Sequence, residues 1–293
     1  MINWGRLFTA MVTPFNEKGE VDYTVAGELA KKLVSEGSDG IVVGGTTGES
    51  PALSDKEKLK LFCTVKESVG NITVIAGTGS NSTEHSVELT KEAEKTGVDG
   101  VMAVGPYYNK PTQKGFVGHF STIAKNTSLP VIVYNVPGRT GSNILPETVK
   151  KLSSIDNIVA VKEASGDIDQ ISEIISMVGD KLLVYSGDDS KTFPVMCLGG
   201  HGVISVVSHL VGRDVRKMID MLVSGNLSEA RSLHHRLMPI FKGLFMITSP
   251  IPVKMALNMT GFKAGGFRLP LVEADEDVVS KLKALLEAYN LLK

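Results

Sequence analysis

Cysteine is scarce in this chain of 293 residues, and neither sign of charge is in excess. Its two cysteines, Cys63 and Cys197, can neither build a disulfide framework nor fill a four-thiolate zinc site. Lys and Arg number 31 against 32 Asp and Glu, a net charge of −1. That balance lacks the basic footprint of a nucleic-acid binder, so no nucleic-acid partner is expected. No apolar run nears the roughly 18–20 residues that span a bilayer. The opening MINWGRLFTAMVTPFNEKGE has no basic leader and meets Pro14 and then charges, so export is not expected and a cytoplasmic location is. There is no Gly-Lys dipeptide for a phosphate-binding loop and no His-Glu-x-x-His. The six histidines are scattered apart from His234-His235, which is read as solvated helix surface, and no metal or cofactor is expected. GTGSNS at 77–82 lacks the last glycine of a dinucleotide fingerprint and follows a third strand rather than a first.

Short β-branched runs are abundant. They are LFTAMVT (7–13), GIVVGG (40–45), ITVIAG (72–77), GVMAVG (100–105), PVIVYN (130–135), IVAVKE (158–163), LLVYSG (182–187) and GVISVV (202–207). Each is nearly continuous in apolar residues, as strands buried on both faces are. Helical patterns lie between them. In 25–37 the apolar positions are Val25, Leu29, Leu33 and Val34; 54–69 opens with Ser54 three before Glu57, a capping box; 82–97 ends on Gly97, a C-cap candidate. Eight strands alternating with helices favour a closed (β/α)8 barrel, an α/β TIM barrel, over an open sheet. Residues 1–210 are assigned to the barrel. After it come two helices around Gly225, SPIPVKMALNMTG and a last helix near 276–290, so 211–293 reads as a helical C-terminal extension packed on the barrel.

Active sites in this architecture form at the C-terminal ends of the strands. Those ends carry Thr46 and Thr47, Tyr107 and Tyr108, Tyr134, Lys162, and Gly187-Asp188-Asp189. Lys162 ends an apolar run inside the barrel wall, where desolvation would favour the neutral amine that attacks carbonyls. The other reading is a lysine whose stem lies on the barrel and whose head reaches solvent. Tyr134 is a candidate proton donor and acceptor, or a core tyrosine bonded to backbone. Thr46-Thr47 forms either a carboxylate-binding loop or a turn before a helix. Arg139 could clamp a carboxylate with its two-pronged guanidinium or lie on the surface.

GGTTGES, GPYYNKP, YNVPGRTG, VKEASGD and SGDD, in this order, resemble the dihydrodipicolinate synthase family. The resemblance runs from about residue 4 to beyond 270 and includes IPVK and LPL. It implies that Lys162 forms a Schiff base with pyruvate and that Tyr134 moves protons with Thr46 and Tyr108 as relay partners, Tyr108 reaching in from a neighbouring subunit. It further implies that Thr47 and the backbone at Ile204 bind pyruvate. Arg139 would receive the carboxylate of L-aspartate 4-semialdehyde at the pocket mouth, and Gly187 would line the cavity. A homo-oligomer follows, expected to be a tetramer built as a dimer of dimers. The alternatives are an N-acetylneuraminate lyase or 2-keto-3-deoxy sugar-acid aldolase, or a non-catalytic 2-oxo-acid-binding paralogue. Feedback-inhibited members bind lysine in an interface cleft. Ser50, Asn81 and Tyr107 match that cleft here, whereas Asp55 and Lys58 replace histidines and His85 replaces a glutamate, so weak or absent inhibition is expected.

Overall fold

The computed structural model describes residues 4–292. Eight parallel strands close into a barrel in chain order, with β8 paired to β1. They are β1 Leu7–Ala10, β2 Gly40–Val43, β3 Thr73–Gly77, β4 Gly100–Val104, β5 Val131–Asn135, β6 Ile158–Glu163, β7 Leu183–Ser186 and β8 Gly202–Ser205. All eight sit inside or at the edge of the runs read from sequence. The helices between them are α1 Tyr23–Ser35, α2 Asp55–Val69, α3 Thr83–Glu94, α4 Gln113–Lys125, α5 Pro137–Thr140, α6 Pro146–Leu152, α7 Ile168–Val178 and α8 Thr192–Cys197. After β8 come α9 Ser208–Val223, α10 Leu227–Gly243, α11 Ile251–Met259 and α12 Glu276–Ala288. Among the described residues no helix is long and apolar enough to cross a membrane.

The strands are apolar on both faces because each face meets a different core. Leu7, Ile41, Val43, Val74, Val101, Val133 and Val161 point outward to the helices. The alternate positions, among them Phe8, Val42, Ile75, Met102, Ile132, Tyr134, Ala160, Tyr185 and Ile204, form a separate cluster inside the barrel. Phe8 and Tyr185 meet edge to face at 5.7 Å, and the Tyr185 hydroxyl donates to Gly5 O at 2.7 Å. Trp4 packs on Phe8 at 6.1 Å. These rings fill the end of the barrel interior where the strands begin. Losing such a ring, as in Phe8→Ala, would cost roughly 3–5 kcal/mol.

Local signals explain the helix boundaries. Ser54 and Glu57 form the capping box in both directions. α1 buries Ala26, Leu29, Ala30 and Leu33, a stripe in which small alanines replace the flanking Val25 and Val34. α3 stops at Glu94, and Gly97 turns the chain two residues beyond the cap at Lys95, with φ +78°. His234 departs from the sequence reading: it is buried and stacks on Phe193 at 5.1 Å, while His235 stays exposed. With Ala230, Leu233 and Leu237 it lies on the inward stripe of α10. α9 packs on β1 and α1, and α10 packs on α9 and α12.

Candidate active site

The turn after β2 depends on two close backbone approaches. Gly44 has φ +66°, and a Cβ there would lie 2.9 Å from the Phe62 ring. A Cβ on Gly77 would lie 2.4 Å from Gly44 O, so only glycine lets this turn cross the end of β3. The amides of Gly48 and Glu49 then bond Gly45 O and Thr46 O at 3.0 and 3.1 Å. Thr13 Oγ1 donates to Gly48 O at 2.7 Å. The result delivers Thr46 into a cavity of about 620 Å³ also lined by Met102, Tyr107, Tyr134 and Arg139. Thr47 is buried beside it.

Tyr134 and Lys162 occupy paired positions on β5 and β6. Both are 5% exposed. Parity explains the direction: Lys162 follows Ala160 and Tyr134 follows Ile132 on the inward face. Lys162 Nζ lies 4.2 Å from the Tyr134 ring centroid. Burial pushes the Lys162 amine down to about 8; the charge of Asp189 pulls it back up, and that of Arg139 lowers it further. Burial pushes the Tyr134 phenol up to about 12, and the nearby Arg139 charge and the Thr46 hydroxyl oppose that rise. An amine with a sizeable free fraction near neutral pH therefore faces a protonated phenol, which suits attack on a carbonyl and protonation of its oxygen.

Of the remaining positions, Gly187 and Arg139 lie beside this pair. A Cβ on Gly187 would stand 2.7 Å from Ala164 Cβ and 3.3 Å from Lys162 Cε, so the missing side chain leaves room beside the amine. Ile204 is buried on β8, opposite Phe8 of β1. Arg139 lies on α5 at the cavity wall, and its Nη2 donates to Ser249 O at 3.0 Å. Tyr108 is not brought in: it is 89% exposed with φ +71°, while its neighbour Tyr107 lines the cavity.

Three groups here went unassigned from sequence. Asp189, one of the polar residues after β7, is 2% exposed. It accepts from Ser205 Oγ at 2.5 Å and from the amides of Val206 and Val207 at 3.0 and 3.2 Å. Burial nevertheless raises its carboxyl to about 6. Glu163, next to Lys162, faces away from the barrel interior and accepts from Asn135 Nδ2 and the Ser165 amide. Glu49 pairs with Lys254 at 2.8 Å. The acid in VKEASGD and the lysine in IPVK were visible as letters; their partners were not.

The sequence pattern of the dihydrodipicolinate synthetase family matches residues 3–289. The 4-hydroxy-tetrahydrodipicolinate synthase of Heliobacterium modesticaldum is 55% identical over 291 residues, 99% of this chain and 97% of its own. The crystal structure of the Cyanidioschyzon merolae dihydrodipicolinate synthase with lysine bound superposes with a TM-score of 0.97 at 46% identity, covering 99% of both chains. The Bacillus anthracis dihydrodipicolinate synthase gives a TM-score of 0.96, also at 46% identity, covering 98% of this chain and 99% of its own.

Proposed function

From the premise that the chain belongs to the dihydrodipicolinate synthetase family, we propose that Lys162 carries its reaction as a Schiff base with pyruvate. The activity is that of a 4-hydroxy-tetrahydrodipicolinate synthase, a Schiff-base lyase of diaminopimelate and lysine biosynthesis. The observation that carries the residue assignment is the buried Lys162 amine, held 4.2 Å over the Tyr134 ring at the C-terminal end of the barrel.

In this reading the Lys162 amine adds to C2 of pyruvate. Tyr134 protonates the carbonyl oxygen, which leaves as water when the iminium forms. The cationic nitrogen then accepts electrons as a methyl proton leaves, giving an enamine. The enamine carbon attacks the aldehyde of L-aspartate 4-semialdehyde. The amino group of that substrate closes the ring at C2 and displaces Lys162. Thr46 and Tyr108 pass protons to and from Tyr134; Thr47 and the Ile204 backbone hold pyruvate. Arg139 receives the second carboxylate, and Gly187 keeps the space beside the amine open.

The proposal extends to the assembly and location. Tyr108 is exposed in one subunit, which favours a homo-oligomer, a tetramer as a dimer of dimers, in which another copy supplies it. Two free thiols, Cys63 and Cys197, suit a reducing cytoplasm. The division into a barrel (1–210) and an extension (211–293) cuts α9, so the extension is proposed as part of the working enzyme rather than a separate folding unit. A coupled assay tests the substrate: turnover is expected with pyruvate plus L-aspartate 4-semialdehyde. Turnover only with pyruvate plus sugar aldehydes would overturn it in favour of a sugar-acid aldolase.

A further inference from the structure

We propose that the buried Lys254–Glu49 ion pair is a positioning device, through which α11 of the C-terminal part sets the loop that carries Thr46. Lys254 Nζ donates to Glu49 Oε1 at 2.8 Å, and both side chains are at most 1% exposed. The second carboxylate oxygen, Oε2, accepts from the Arg268 amide at 3.2 Å. Glu49 is thus gripped at both oxygens by groups more than 200 residues further along the chain. Its backbone is left-handed, φ +56°, a conformation that a side chain disfavours and that persists where the surroundings enforce it. From that conformation its amide donates to Thr46 O at 3.1 Å.

The grip is itself braced. Lys254 Nζ lies 4.0 Å from the Phe15 ring centroid, and the Arg268 guanidinium lies 4.7 Å from the same centroid. Arg268 also donates to Ala52 O at 2.9 Å and to both oxygens of Glu57 at 2.6 and 3.0 Å. The loop 45–52 is therefore fastened at Glu49 and Ala52 to one C-terminal scaffold. Stability alone is a poor reason for such a pair, because desolvation of two charges commonly cancels their attraction. Geometry is the better one: a point contact at 2.8 Å fixes where a strained residue sits, as an apolar contact would not. The path runs from Lys254 to Glu49 and from the Glu49 amide to Thr46, which lines the same cavity as Tyr134.

The inference rests on the reading of Thr46 as the relay partner of Tyr134, so the test separates the two. In the full chain, Glu49→Gln with Lys254→Met removes the pair and leaves no unpaired buried charge. We expect kcat to fall at least tenfold, with the circular-dichroism spectrum of the barrel kept and Lys162 still trapped by borohydride in the presence of pyruvate. In a Thr46→Val background the same two substitutions should change kcat less than twofold, because groups acting through one another are not additive. A purely structural pair would lower kcat by the same factor in both backgrounds, and that result, or an unchanged kcat, overturns the proposal. Glu49→Gln alone, with Lys254 retained, is the second variant and is expected to show the same coupling to Thr46→Val in smaller measure. Failure of both variants to fold would assign the pair to stability and also overturn it. A Thr46→Val enzyme with unchanged kcat would instead remove the reading of Thr46 itself.

Discussion

Lys162 Nζ stands 4.2 Å over the ring of Tyr134, from the position paired with it in the β5–β6 ladder. The register of two adjacent strands thereby fixes the distance between the proposed nucleophile and its proposed proton donor, with no loop intervening. The ring face also favours positive charge, which the iminium carries permanently and the free amine only when protonated. The same contact that tolerates a lysine inside the barrel would thus stabilise the iminium proposed at Lys162.

The first prediction follows from the burial of that amine. With its pKa lowered to about 8, roughly a tenth of Lys162 is the free amine at pH 7, against about one part in three thousand at the ordinary 10.5. A lowered lysine pKa means that the reactive neutral form accumulates as pH rises toward 8 and levels off above it. The rate of adduct formation with pyruvate and borohydride should therefore climb from pH 6 to about 8 and then flatten. Mass spectrometry should place the adduct on the peptide containing Lys162, and Lys162→Ala should abolish it. An adduct on another lysine would sink the mechanism.

Arg139 carries the second prediction. Its Nη2 donates to Ser249 O, and the residue lines the cavity shared with Tyr134. Arg139→Ala should lower kcat/KM for L-aspartate 4-semialdehyde roughly 10- to 150-fold, the range for losing hydrogen bonds to a charged group. Pyruvate trapping on Lys162 should change far less. Equal loss of both, seen by steady-state kinetics beside trapping, would mean that Arg139 serves only to tie α5 to Ser249.

What the sequence discloses follows from the range of each interaction. The strands were legible because a run such as IVAVKE is short, apolar at successive positions and bounded by turn residues, as a strand between two cores is. The Ser54–Glu57 cap was legible because its partners are three residues apart. His234 was misread because a single histidine says nothing about which stripe of α10 faces in, although Ala230, Leu233 and Leu237 do. Glu49 and Lys254 are 205 residues apart, and no periodicity connects them. Which polar residues stand at strand ends is local and could be read; the bracing behind them is made by contacts distant in sequence and could not.

Tyr108 supplies the third prediction. Its side chain is 89% exposed and absent from its own cavity wall, so within one subunit it cannot serve Tyr134. Sedimentation should find at least a dimer, and Tyr108→Phe should lower kcat. Mixing the inactive Lys162→Ala chain with the Tyr108→Phe chain and allowing exchange should yield more activity than the two give separately. A site in the mixed oligomer can then hold Lys162 from one chain and Tyr108 from the other. A fully active monomer, or mixtures that merely average, would overturn the proposal that the residue acts in trans.

Lysine inhibition is the last prediction, and the cavity wall decides it. Ser50, Asn81 and Tyr107 lie on the same cavity as Tyr134, beside Asp55, Lys58 and His85. Asp55 is the acid here that could face the α-ammonium of a bound lysine. It is already engaged: His85 Nε2 lies 2.8 Å from one oxygen, and Lys58 Nζ lies 3.8 Å from the other. A ligand ammonium would have to displace His85 and approach Lys58, a like charge that is largely buried and whose pKa burial pushes down against the pull of Asp55. Losing an existing partner and gaining a repulsion both oppose binding. L-Lysine at millimolar concentration and pH 7–8 should therefore inhibit weakly or not at all in a steady-state assay. His85→Glu adds an acid without a preformed partner and frees Asp55, so it should raise sensitivity to lysine. Sub-millimolar, cooperative inhibition of the unaltered chain would show that Asp55 exchanges His85 for the ligand at little cost.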